Sequence, residues 1–174
     1  GASRASSPYC RATIVLSNFQ MGDQIVRDLA RHRITGLAGV PTIDFNVTHA
    51  ADAAMFGLVE AGTVRIGVDL ERASRDVNAL GLARRVCTSR EREALAALEE
   101  DARRLAFLRL WTCKEAMSKA TGDALGAPFR HLDVAREPDL ALVAGPPPYT
   151  PRDWTLNAVE VPDGFIGTVA LWST

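Results

Sequence analysis

The sequence has little of what marks an exported, disulfide-stapled or membrane-embedded protein. It holds three cysteines, Cys10, Cys87 and Cys113, an odd number without paired metal-ligand spacing. That argues against a disulfide framework and a zinc site and suits a reducing cytoplasm. No apolar run approaches the about 20 residues that span a bilayer, and no charged-then-apolar signal opens the chain. A soluble, cytoplasmic protein is expected. Neither sign of charge is in excess: 20 basic residues face 21 acidic ones, for a formal net charge of -1. Nothing in that balance draws the chain to nucleic acid or to an anionic membrane, so any phosphate site must be local.

What is present is enough apolar residue to build a core: 47% of 174 residues, sufficient for one domain or two small fused lobes. Residues 1–8, small and polar, are expected to be a tag remnant or disordered and are set aside. Helical spacing of Ile25, Val26, Leu29 and Ala30 predicts an amphipathic helix over Gln24–His32. Gly39-Val40-Pro41 is a turn. Strands are predicted at Ile43–Thr48, Ala54–Glu60 and Val64–Leu70, the last two joined by Ala61-Gly62-Thr63, which suits a hairpin. Helices follow at Leu80–Val86, from Ser89 (capped by its own hydroxyl, with Glu91 and Glu93 in the first turn) and over Asp101–Thr121, which Gly122 stops. Leu132–Val134, Leu140–Val143, Trp154–Val161 and Phe165–Trp172 read as strands, with Pro146-Pro147-Pro148 a loop. The order helix, strands, helices, strands predicts an α+β fold of two similar lobes, each a small antiparallel sheet packed with helices. The expected division is 9–71 for the N-terminal lobe and 72–174 for the C-terminal lobe.

Three segments stand out chemically. In Ile66-Gly67-Val68-Asp69-Leu70-Glu71, strand periodicity puts both carboxylates on one face, where they could share a hard cation such as Mg²⁺. Taken alone, a solvated strand end explains them better. In Trp111-Thr112-Cys113-Lys114-Glu115-Ala116-Met117-Ser118-Lys119, Glu115 and Lys119 are four apart on one helix face. A surface ion pair would be the plain explanation, but the apolar neighbours point to an interface between lobes. In Phe45-Asn46-Val47-Thr48-His49, a hydroxyl and an imidazole sit together at a strand end and could donate to a phosphate or a base edge.

Together and in this order the three segments resemble the 4′-phosphopantetheinyl transferase family, in particular its larger, surfactin-synthetase type. Arg84-Arg85-Val86-Cys87-Thr88-Ser89-Arg90-Glu91 looks like that family's basic and aromatic segment, with Val86-Cys87 where it has two aromatics. Gly122, Leu125, Pro128 and Val134 fall where it places a turn and a strand. Val40 stands where it often has a lysine. The resemblance runs from about His32 to Trp172, and the joint match is specific although each piece is not.

The resemblance implies a pseudodimer with its active site between the lobes, so that a monomer could build the site alone. It implies that Asp69, Glu71 and Glu115 ligate Mg²⁺. Glu115 and Lys119 would be catalytic, and Thr48, His49, Lys114 and Lys119 would bind coenzyme A, the co-substrate. The partner would be an apo acyl, peptidyl or aryl carrier protein, a small acidic domain for which Arg84, Arg85, Arg90 and Arg92 form the local basic cluster. The implied reaction moves 4′-phosphopantetheine to a carrier serine and releases adenosine 3′,5′-bisphosphate. A catalytically idle carrier-protein or nucleotide binding module of the same fold, and a metal-dependent phosphate-ester hydrolase, stay open as alternatives.

Overall fold

The structure is a computed structural model and describes residues 13–18, 43–60, 62–136 and 139–174. The helix expected over Gln24–His32, the turn at Gly39–Pro41, Cys10 and residues 1–8 lie outside the described residues. The strands are β1 (Thr13–Asn18), β2 (Ile43–Ala50), β3 (Ala53–Glu60), β4 (Val64–Arg72), β5 (Asp133–Ala135), β6 (Ala141–Ala144), β7 (Trp154–Val159) and β8 (Phe165–Ser173). The helices are α1 (Ala79–Val86), α2 (Ser89–Ala96) and α3 (Glu100–Thr121). The architecture is the expected α+β class, with antiparallel sheets packed against helices. β1 is a strand that periodicity alone did not bring out. It pairs antiparallel with β3, from Thr13 opposite Leu58 to Asn18 opposite Ala53.

One sheet has the order β1-β3-β2 and a second the order β4-β8-β7, with β5 and β6 forming a separate ribbon. β4, counted by sequence order with the first lobe, hydrogen-bonds along its length to β8, Val64 opposite Ser173 through Arg72 opposite Phe165. Its other edge faces β2, whose side chains satisfy the backbone that the ladder leaves over. Asp44 Oδ2 accepts from the Ile66 N–H (2.8 Å) and Asn46 Oδ1 from the Val68 N–H (3.1 Å). An edge strand with such partners no longer offers open donors to another chain. Between the sheets lies a small core of Met55, Val59, Ile66, Val68, Leu70 and Val169.

The other face of the second sheet carries α3 over a larger core, where Leu108, Met117, Leu132 and Tyr149 are fully buried. α3 ends at Gly122 with φ 84°, the left-handed C-terminal conformation that glycine adopts without Cβ strain. Gly67 allows the helix its closest approach to β4. A Cβ built there would lie 1.9 Å from Ala116 O and 2.7 Å from Ala120 N.

The cap of α2 differs from expectation. Thr88 is in extended conformation and accepts from the Glu91 N–H (3.2 Å), while the Glu91 carboxylate accepts from the Thr88 N–H (2.8 Å). Ser89 is already the first helical residue, so the reciprocal capping box falls one position earlier than the sequence reading placed it.

Candidate active site

Strand periodicity puts Gly67, Asp69 and Glu71 on the face of β4 that meets α3, and helical periodicity puts Trp111, Glu115 and Lys119 on one stripe of α3. The two meet at the lip of a cleft of about 350 Å³, lined also by Val47, Thr48, His49, Leu70 and Arg75. β2, β4 and α3 therefore converge here. Lys119 Nζ donates to Asp69 Oδ1 (2.7 Å), Val68 O (3.1 Å) and Thr48 Oγ1 (3.2 Å). Thr48 Oγ1 in turn donates to Asp69 Oδ1 at 3.2 Å. His49 is exposed on the cleft wall beside it.

Burial disfavours the ionisation of all three carboxylates in the cleft, and the charge of Asp69 adds to this for Glu71 and Glu115. Burial pushes the Asp69 carboxyl up, against the pull of Lys119 and Thr48. Burial also raises Glu115, followed by the charges of Asp69 and Glu71. Glu71 is raised by burial and by Asp69, while Arg75 and the Trp111 side chain act the other way. Like charges crowded in a partly desolvated cleft are what a cation would relieve. Two oxygens carry the point further: among the described residues, Asp69 Oδ2 and Glu115 Oε1 are the buried side-chain oxygens with no hydrogen-bond partner. Such atoms are costly unless something meets them.

Among the described residues no three Asp, Glu, His or Cys side chains are arranged to hold a metal ion by themselves, and Glu71 is otherwise engaged. Its carboxylate is ion-paired with Arg75, four residues on. Mg²⁺ does not need an all-protein cage, because it is commonly held by one or two carboxylates with waters and substrate phosphate. The orphaned oxygens of Asp69 and Glu115, one from a strand and one from a helix, fit that donor set.

Lys114 is not part of this cluster. It lies about 100° round the helix from Glu115, with its side chain 0% exposed. Its ammonium donates to Glu91 Oε2 (2.6 Å), Val86 O (2.8 Å) and Phe129 O (3.0 Å). The expectation that Lys114 contacts coenzyme A is corrected on that ground: all three of its donors are engaged inside the protein. Glu91 is equally enclosed, its Oε1 accepting from the Val134 N–H at 2.9 Å. The basic cluster is also divided. Arg90 holds Asp133 through several bonds of 2.8–3.1 Å and Arg92 reaches Ser89 (3.0 Å), while Arg84 and Arg85 are exposed on α1.

Asp44, Asn46, Glu91 and Arg75 are the contributors that spacing did not bring out. Asn46 sat inside a recognised segment, yet its partner is a backbone N–H twenty-two residues on. A second cavity, of about 360 Å³ on the flank of α3 that bears Arg109 and Cys113, has no carboxylate among its lining residues. The clustered carboxylates Asp69, Glu71 and Glu115 line the first cleft instead.

The profile of the 4'-phosphopantetheinyl transferase superfamily matches residues 65–170. The chain belongs to this superfamily. The match takes in α3 and all of β4 but its first residue, the elements that carry Asp69, Glu71, Glu115 and Lys119. Among curated proteins, the chain is 32% identical over 127 residues to the 4'-phosphopantetheinyl transferase HetI of Nostoc sp. (strain PCC 7120), covering 73% of this chain and 51% of the relative. It is 40% identical over 81 residues to slr0495 of Synechocystis sp. (strain PCC 6803), provisionally named for the same activity, covering 47% of this chain and 32% of that protein. The chain thus spans about half the length of the first of these relatives and a third of the second. Among solved structures it is similar in fold to a holo-(acyl-carrier-protein) synthase from Bacillus anthracis str. Ames, described as in complex with CoA (3',5'-ADP). The TM-score is 0.52 at 19% identity, over 63% of this chain and 96% of that one.

Proposed function

We propose that the protein transfers 4′-phosphopantetheine from coenzyme A to a serine of an apo acyl, peptidyl or aryl carrier protein, with Mg²⁺, releasing adenosine 3′,5′-bisphosphate. The observation that carries this reading is the pair of orphaned carboxylate oxygens, Asp69 Oδ2 and Glu115 Oε1, on residues that line a cleft together with Lys119 and Thr48. Family membership supplies the reaction class. The HetI relative is named for the same transfer.

Asp69, Glu115 and, once turned from Arg75, Glu71 would hold the metal, which supplies charge neutralisation on the pyrophosphate as the leaving phosphate accumulates charge. The chain's own residues do the rest. Glu115, whose carboxyl is held above its ordinary value by burial and by Asp69, is matched to take the proton of the incoming serine hydroxyl. The serine oxygen bonds to the phosphorus that bears pantetheine. The bond from that phosphorus to the bridging oxygen breaks, and its electron pair leaves with the nucleotide. Lys119 is already positioned by Asp69, Thr48 and Val68 O and presents fixed positive charge to the phosphates. Thr48 and His49 line the wall on which the nucleotide would rest, His49 toward its 3′-phosphate.

In this reading the site is built within one chain, at the seam between the two sheets, as in a pseudodimer of the surfactin-synthetase type. The exposed Arg84 and Arg85 on α1 would meet an acidic carrier. Incubation with coenzyme A, Mg²⁺ and a panel of apo carrier proteins tests the reading. Mass addition to a carrier is expected, phosphate release without addition would indicate hydrolysis, and binding without either would indicate an idle module.

A further inference from the structure

Each of the two carboxylates on β4 is met by a cation, but the two cations are held differently. Lys119, on Asp69, is fixed by three hydrogen bonds. Among the described residues, the Arg75 guanidinium meets Glu71 alone. The backbone that delivers it is pinned: Ala73 N–H donates to Gly164 O (2.8 Å), Ala73 O accepts from Arg104, and Arg75 N–H donates to Arg72 O (3.0 Å). The Arg75 side chain is 45% exposed and lines the cleft. It can therefore leave Glu71 by side-chain rotation, with no movement of the loop.

We propose that Arg75 is a displaceable counter-ion: its guanidinium holds Glu71 in the metal-free protein, a divalent cation evicts it, and the freed guanidinium then grips the anionic phosphates of the co-substrate. The inference rests on the metal reading above and extends it to a residue outside the three-carboxylate set. A cation that competes with the metal and assists the anion makes an opposite-signed prediction for the two ligands. A residue that merely stabilised the loop would weaken both.

The test is calorimetric titration of the full chain with Mn²⁺ alone, and then with adenosine 3′,5′-bisphosphate at saturating Mn²⁺. Arg75→Ala should bind Mn²⁺ about two- to fivefold more tightly, the range expected on removing a partly exposed ion pair. It should bind the bisphosphate about fivefold or more weakly, since a charge-assisted contact is lost. Arg75→Lys should stay near wild type in both. Arg72→Ala, which removes an equal charge three residues away at the end of β4 but one engaged with Asp52 and the Phe165 ring, should leave Mn²⁺ affinity unchanged. Equal Mn²⁺ affinity in wild type and Arg75→Ala, or equal tightening by Arg72→Ala, would overturn the counter-ion role while leaving the metal site standing. Tightened Mn²⁺ with unchanged bisphosphate would overturn the second half of the proposal. Absence of Mn²⁺ binding in both wild type and Arg75→Ala would sink the metal reading itself.

Discussion

Helix α3 carries two lysines five residues apart, and their surroundings divide the molecule into a part closed inside the fold and a part that lines an open cleft. Around Lys114 the polar groups are closed. Three acceptors meet its three donors, and Glu91, its carboxylate partner, also caps α2 and anchors the Val134 N–H. Around Lys119 the ammonium is just as well met, but its partner Asp69 keeps Oδ2 without a hydrogen bond, as Glu115 keeps Oε1. A closed buried network fixes geometry. An open one stores unmet polar demand that a cation can answer. Two motif lysines on one helix thus have different physical tasks, and hydrogen-bond closure distinguishes them where sequence does not.

The largest effect should come from the closed side. Lys114→Ala leaves Glu91 buried with an uncompensated charge, which costs about 3–5 kcal/mol when one partner of a buried pair is removed. Denaturant unfolding should show that loss. Replacing both partners, Lys114→Met with Glu91→Gln, should recover a large part of it, and failure to recover would mean that the pair is not the source of the loss. Lys119→Ala should cost less stability than Lys114→Ala, because Lys119 is 26% exposed and Asp69, already raised by burial, can take up a proton in its place, and it should slow transfer strongly. An equal loss of stability in both lysine variants would break the comparison.

On the open side, Glu115→Gln should lower transfer by about 100-fold or more, the span that general-base catalysis supplies, with the fold intact by circular dichroism. Asp69→Ala should be as damaging through the metal. Full activity in either variant would remove the carboxylates from the mechanism. Gly67→Ala is expected to cost about 1–3 kcal/mol, as overpacking does, because the new methyl meets the α3 backbone at Ala116 O, which is no flexible side chain. Its transfer rate should fall further than its stability predicts, since any retreat of α3 carries Glu115 and Lys119 away from Asp69.

Much of this was readable in the sequence because it is local. Strand alternation placed Asp69 and Glu71 on one face, helical spacing aligned Glu115 with Lys119, and Gly122 ended α3 where a left-handed residue was needed. The rest depends on what lies across the chain. The sequence placed Lys114 about a hundred degrees from Glu115, yet only the packing of α2 against α3 reveals that Glu91 waits there. Arg75 is an ordinary exposed arginine by composition. Its meaning comes from the turn after β4, which aims it back at Glu71. Asp44 and Asn46 satisfy an edge of β4 that becomes an edge only once β8 has taken the other side, a pairing made between residues about a hundred positions apart. The Ser89 cap was missed by one residue because Thr88 and Ser89 are both competent caps, and the choice falls to the one whose partner at the third helical position is Glu91.

The smallest effect, and the most direct measure of unmet demand in the open site, is the response of the metal-free protein to pH. Asp69, Glu71 and Glu115 all have carboxyls raised in the folded state, burial being the first cause for each. A raised folded value means that the native protein binds these protons more tightly than the unfolded chain does. Their contribution to stability is therefore full below the ordinary carboxylate values and is lost as pH rises through the raised ones. The unfolding midpoint of the metal-free protein should fall across that interval. Glu115→Gln, which removes one of the crowded charges, should flatten the fall and leave the variant more stable than wild type at neutral pH, although its transfer is expected to be impaired. Added Mg²⁺ should raise the wild-type midpoint above the interval and have less effect on the variant. A Glu115→Gln protein less stable than wild type at neutral pH would show that the Glu115 carboxylate is satisfied after all, and the contrast with the closed Lys114 network would lose its basis.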